Sequence, residues 1–178
     1  MPVEITNTET LHEGAKFDFV RLTAVVRGRA VKREMVRHPG AVVVLPVFDD
    51  GDYLFIRNRR IPIGDTLWEL CAGTLEADES PADAASRELI EETGYRAESI
   101  DRIGGFYSSP GMSDEYLHAF IARGLTEVGQ RLERDEEIDA VRVSPARVHD
   151  LIARGELQDA KSMLTLLLYE RRLEGSTS

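Results

Sequence analysis

Cysteine is almost absent from this 178-residue chain. Cys71 stands alone, so no intramolecular disulfide can form. Long apolar runs are also missing. The longest, around residues 41–46, falls far short of the roughly 20 residues that a membrane-crossing helix needs, so no helical membrane partner is expected. The opening MPVEITNTETL has neither the basic nor the apolar region of a secretory signal, which makes the cytoplasm the expected compartment. Basic charge is in deficit. With 22 Lys and Arg against 32 Asp and Glu, the formal net charge of −10 opposes a polyanion, so neither DNA nor RNA is an expected partner. Internal repeats and low-complexity segments are lacking as well. What remains, 42% hydrophobic, suffices for one domain over 1–178 without a disulfide or structural metal.

Residues 1–38 form an N-terminal antiparallel β region, read as two strands. In it Phe17, Phe19, Arg21 and Thr23 alternate with Asp18, Val20 and Leu22. GAVVVLPVF is apolar throughout, as in a strand buried on both faces, and DDGD turns the chain into YLFIR. The two are expected to pair as a hairpin. RRIPIGDT reads as a loop, 67–71 as a short apolar piece, and Gly73 as a turn. Ser80 can cap a helix, Pro81 suits its first position and Asp83 its first turn. The helix runs to about Thr93, with Gly94 as its left-handed cap. Strands follow at 100–106, 115–122 and 138–143, then helices at 145–154 and 161–173, and the terminal GSTS is expected to fray. The order predicts a layered α/β or α+β domain.

On that helix Glu88, Glu91 and Glu92 are spaced by three and four residues, which places three carboxylates on one face. Like charges so placed each cost a few tenths of a kcal/mol, and a divalent cation reverses the sign. A merely solvated acidic face is the alternative. The neighbouring residues decide between them. Gly73, Glu79, Arg87, Glu88, Leu89, Glu91, Glu92, Gly94 and Tyr95 meet every position of one pattern: glycine, five residues, Glu, seven residues, Arg-Glu, a hydrophobic residue, one residue, Glu-Glu, one residue, glycine, a hydrophobic residue. With each fixed residue used at about 5–7%, chance agreement is below roughly one in ten million per starting position.

This pattern resembles the Nudix box, and the chain is identified as a member of that family. The resemblance implies a mixed β-sheet sandwiched between α-helices and a Mg2+ or Mn2+ site at Glu88, Glu91 and Glu92. The Ala72 carbonyl is a further implied ligand. Glu79 and Arg87 are implied to hold the box together, with Gly73 and Gly94 as its structural glycines. Metal charge would neutralise a diphosphate and raise the hydroxide fraction of bound water, which attacks phosphorus in line. It would also supply the positive charge that this acidic chain lacks.

Outside the box, SSPGMSDE places Pro110 sixteen residues beyond Gly94, and RRIPIGDTLWELCAG precedes the box. With DEEIDAVRV and GELQDAKSMLTLLL, these segments resemble the ADP-ribose pyrophosphatase subgroup over roughly 13–173. Cys71 stands where a proline is usual, and Asn58-Arg59 where glutamine and an aromatic residue are commoner, which bears on fine specificity. The resemblance implies hydrolysis of ADP-ribose to AMP and ribose 5-phosphate. Arg60 would contact phosphate, with Arg57 and Arg37 as further candidates beside a structural role, and Pro110 would mark the substrate loop. Glu136, or its neighbour Glu137, would assist water activation. A homodimer with exchanged N-terminal strands is implied, in which Phe17 and Phe19 stack on the base, although their alternation fits core packing better. The alternatives are another nucleoside diphosphate sugar such as GDP-mannose, an oxidised nucleoside diphosphate, or a non-catalytic nucleotide-binding regulatory module.

Covalent and histidine-based chemistry find no support. The histidines at 12, 38, 118 and 149 lack metal-ligand spacing, and His118 is expected to pack in its strand. Cys71, Ser108 and Ser109 lack the surroundings of a nucleophile. Gly104-Gly105 does not follow the dinucleotide-binding pattern and reads as a strand irregularity.

Overall fold

The structure, a computed structural model, describes residues 3–134 and 136–176. Asp135, which opens DEEIDAVRV, and the last two residues of GSTS lie outside them. The chain divides into two compact units, one of residues 1–40 with 107–116, the other of 41–106 with 117–178.

The first unit is built on an antiparallel meander of β1 (Glu4–His12), β2 (Asp18–Val26) and β3 (Arg29–Arg37), in the order β1-β2-β3. Three strands stand where two were expected, because polar β1 has no apolar alternation to betray it. Its residues are almost all exposed. Val20 and Ala24 of β2 are the buried side chains. Phe17 and Phe19 remain 53% and 40% exposed, so their alternation is not core packing within the chain. Residues 107–116 run beside the end of β3. Val36 N donates to the Met112 carbonyl at 2.9 Å, and His38 N to Asp114 Oδ1 at 2.7 Å.

The second unit centres on β4 (Ala41–Pro46), every residue of which is buried. It runs antiparallel to β7 (Cys71–Thr74) and parallel to β10 (Tyr116–Arg123), in the sheet order β7-β4-β10-β9, where β9 is Ser99–Tyr107. Strand alternation then sorts the side chains onto two faces. Ala41, Val43 and Leu45 join Val148, Leu151, Leu166 and Tyr169 from α2 (Pro145–Ala153) and α3 (Ala160–Ser176). Val42 and Val44 join Ala84 and Ala85 of α1 (Pro81–Glu88) and Leu89, which follows it directly. Within this unit a mixed sheet therefore has helices on both faces, as expected for α/β layering.

The expected hairpin between β4 and β5 (Tyr53–Arg60) is closed only at its turn. A single bridge joins Val47 and Tyr53, and Phe48 N donates to the Asp52 carbonyl. Beyond it β5 leaves for another sheet, in the order β12-β5-β6, with β6 (Asp65–Glu69) and β12 (Ile138–Val143). Both apolar strands need partners on two edges, and each finds them in a different sheet. RRIPIGDT accordingly contributes its ends to β5 and β6, leaving a turn at 61–64. The short β8 (Tyr95–Arg96) pairs with β11 (Thr126–Glu127).

Two helices begin alike. Ser80 Oγ accepts from Asp83 N and Ser144 Oγ from Arg147 N, each followed by proline at the first position. Gly104 is a place of close approach, where a Cβ would lie 3.1 Å from Leu168 Cδ1 on α3.

Candidate active site

The helix of the acidic face changes character at Leu89. Residues Leu89–Thr93 form a π-helical turn instead of continuing the α-helix, and Gly94 closes it at φ 75°. Turns of this kind are uncommon and often lie at functional sites. Gly94 is constrained by space as well as by φ, since a Cβ would stand 2.7 Å from Gln130 N. The carbonyls freed at this end are taken up by the following loop. Val128 N and Gly129 N donate to the Gly94 carbonyl, Arg131 N to that of Glu91, and Gln130 Nε2 to that of Glu92 at 2.6 Å.

Glu88 and Glu92 are 9% and 3% exposed, whereas Glu91 is half-buried. Arg87 spans part of the cluster. Its Nε and Nη2 hold Glu79 at 2.8 and 2.9 Å, and its Nη1 reaches Glu88 Oε1 at 2.7 Å and Glu91 Oε2 at 3.0 Å. Glu92 turns elsewhere, accepting from Ala72 N at 2.9 Å. Gly73 leaves room for this crowding, because a Cβ on it would fall 1.8 Å from Glu88 Oε1.

Burial pushes the Glu92 carboxyl up to about 8, with the charges of Glu88 and Glu136 adding to the rise against the Ala72 hydrogen bond. Burial likewise raises Glu88, with Arg87 opposing. Among the described residues, no group of three or more acidic, His or Cys side chains is placed to hold a metal ion. The donor set nevertheless fits a hard divalent cation. It is all oxygen, and two of its carboxylates are buried with too little protein cation to keep them in the ordinary range.

The NUDIX domain model matches residues 37–166. The chain belongs to the Nudix family. It is 40% identical over 157 residues to the ADP-ribose pyrophosphatase of Bacillus subtilis (strain 168), an alignment covering 86% of this chain and 85% of that protein. It is 35% identical over 147 residues to the GDP-mannose pyrophosphatase of Cronobacter sakazakii (strain ATCC BAA-894), covering 76% and 75%. A crystal structure of an ADP compounds hydrolase shares the fold, with a TM-score of 0.82 at 23% identity over 99% of this chain and 96% of that one.

Around the Nudix box, the two neighbouring glutamates of the acidic loop behave differently. Glu136 is half-buried, accepts from Glu133 N at 2.9 Å and lies within electrostatic reach of Glu88 and Glu92. Glu137 is exposed and paired with Arg59 at 3.0 Å. Arg60 makes a two-pronged pair with Glu69, at 2.8 and 2.6 Å. Arg57 lies 4.8 Å over the Trp68 ring and donates to the Thr66 carbonyl, so its visible partners are structural.

The remaining candidates belong to the first unit. Arg37 and Phe17 line one cleft there with Lys16, His38 and Asp114. Pro110 lines another with Met35, Tyr107 and Met112. Phe19 lines neither.

Sequence reasoning passed over Glu69, Gln130, Asp159, Lys161 and Ser162. A signal existed for the first: Glu69 is the one charge inside the apolar piece 67–71. A charge carried into a core demands partners.

Proposed function

We propose that this Nudix enzyme hydrolyses the diphosphate linkage of ADP-ribose, releasing AMP and ribose 5-phosphate. The carrying observation is the pair of buried carboxylates, Glu88 and Glu92, both raised by burial and both within electrostatic reach of Glu136. Mg2+ or Mn2+ would be held by Glu88, Glu91, Glu92 and the Ala72 carbonyl. Once bound, such an ion supplies charge to neutralise the diphosphate and lowers the pKa of bound water.

The chain's own residues supply the rest. Glu136 takes the proton from the attacking water, a task that requires hydrogen-bond reach and an ionised carboxylate. Its half-buried place beside the box favours it over Glu137, which Arg59 engages. Arg60 holds a substrate phosphate through the part of its guanidinium that Glu69 leaves unused. Phe17 and Phe19, exposed on the first unit, are available to stack on the base, and Arg37 and Pro110 accompany them as substrate-contacting candidates. The same reading includes a homodimer formed through the N-terminal strands. Exposed apolar side chains at Ile5, Phe17 and Phe19 support it. Cytoplasmic residence fits the lone buried thiol of Cys71 and, among the described residues, the lack of a helix able to cross a membrane.

A second substrate, GDP-mannose, is favoured by the similarity to a GDP-mannose pyrophosphatase. Product release from a panel of ADP-ribose, GDP-mannose, other diphosphate sugars, NADH and diadenosine polyphosphates, with Mg2+ and with chelator, separates the two. We expect metal-dependent release of AMP and ribose 5-phosphate from ADP-ribose to dominate. A preference for GDP-mannose would replace the substrate, and equal rates in chelator would remove the metal.

A further inference from the structure

Glu69 is 1% exposed, yet it is engaged by two cations. Arg60 Nε donates to Oε1 at 2.8 Å and Nη2 to Oε2 at 2.6 Å, while Lys161 Nζ approaches Oε2 at 2.5 Å. Lys161 is itself fixed by Asp159 Oδ1 at 2.9 Å. Asp159 Oδ2 accepts from Ser162 N at 2.9 Å at the start of α3, and Ser162 Oγ accepts from Leu70 N at 2.7 Å. The two cations outweigh burial and hold the Glu69 carboxyl below its usual range.

This arrangement bends Arg60 in a particular direction. Across the β5–β6 ladder Arg60 is opposite Asp65, and Glu69 is opposite Ile56. Four residues, roughly 13 Å along the strands, separate those two rungs. Arg60 and Glu69 must therefore lean towards each other along the sheet to meet, and Arg60 lies within electrostatic reach of Glu92. A free arginine would sample many rotamers instead. Of its five N–H donors, the pair uses those on Nε and one on Nη2. Among the described residues the Nη1 edge has no hydrogen-bond partner, and the side chain is 41% exposed.

We propose that Glu69, backed by Lys161, is a positioning residue that grips the Nε–Nη2 edge of Arg60 and presents its Nη1 edge to a substrate phosphate oxygen. The ordering of Arg60 is then completed during folding and does not weaken binding. Lys161 keeps the buried carboxylate ionised and anchors it to α3. This inference rests on Arg60 contacting phosphate, as set out under the proposed function.

The test is a double-mutant cycle with Arg60→Ala, Glu69→Gln and the combined variant, following kcat and KM for ADP-ribose with Mg2+ beside thermal unfolding. Both single variants should raise KM by about tenfold with kcat changed less than about threefold, and Glu69→Gln should add less than about twofold on top of Arg60→Ala. If Glu69→Gln keeps its full factor in the Arg60→Ala background, the positioning role is overturned while Arg60 stands. If Arg60→Ala leaves kcat/KM unchanged, the phosphate contact itself fails. Should Glu69→Gln not fold, Arg60→Lys decides with Glu69 intact. A single ammonium cannot grip Glu69 by two edges and still reach phosphate, so KM should match Arg60→Ala, and a wild-type KM would overturn the proposal.

Discussion

Two buried glutamates in the same unit have opposite fates. Glu69 meets Arg60 and Lys161 and is held below the ordinary carboxylate range. Glu92 meets a backbone N–H, the fields of two further carboxylates and a weaker opposing field from Arg60, and is pushed up to about 8. Burial raises both; only the partners differ. A carboxylate given its own cations serves the architecture or orients one of those cations. A carboxylate buried among others is in deficit, and a cation from outside can make up that deficit.

The contrast breaks most sharply at Glu92→Gln. The substitution keeps the shape and an acceptor for Ala72 N while removing charge, so turnover should fall roughly a thousandfold with the fold intact. Near wild-type turnover in steady-state assays would refute the metal assignment. A smaller effect is expected in the acidic loop. Glu136→Gln should lower kcat about a hundredfold, as for loss of a general base, whereas Glu137→Gln should stay within about twofold because it loses only a surface pair. Equal losses at the two positions would mean that the loop, not one carboxylate, matters.

The smallest effect is on stability and its sign follows from the two shifts. In chelator, Glu92 has a folded pKa above its unfolded value of 4.5, so its protonated form favours the folded state. That contribution is complete below about 4.5 and is lost as pH rises through about 8. Glu69, lowered from 4.5, contributes above that value and loses its contribution as pH falls through its folded pKa. Thermal midpoints in chelator should therefore drop by on the order of 5 °C between pH 5 and 8, and Glu92→Gln should flatten this slope. A slope unchanged in Glu92→Gln would place its origin at another group.

Much of the local structure was legible because its causes are local. The Ser80-Pro81 start, the Gly94 cap, β12 at Ile138–Val143 and the helices after Ser144 and before the C-terminus all follow from caps and periodicity within a few residues. Partnership was not legible. β4 and β5 read as a hairpin because they adjoin across a turn, but each had stronger partners elsewhere in the chain. Phe17 and Phe19 alternate like core residues and are exposed, since alternation assigns a face and not what covers it. The π-turn after Glu88 escaped too, because helical spacing assumes that one geometry continues.

The residues alone determined the family through the complete box from Gly73 to Tyr95, together with the acidic face and the helix that carries it. Only the tertiary structure decided which carboxylates are in deficit. Glu69 and Lys161 are 92 residues apart in the chain, and Glu92 and Ala72 are 20 apart. The protonation of a buried group depends on what folding brings within a few ångströms of it, and sequence distance does not reveal that.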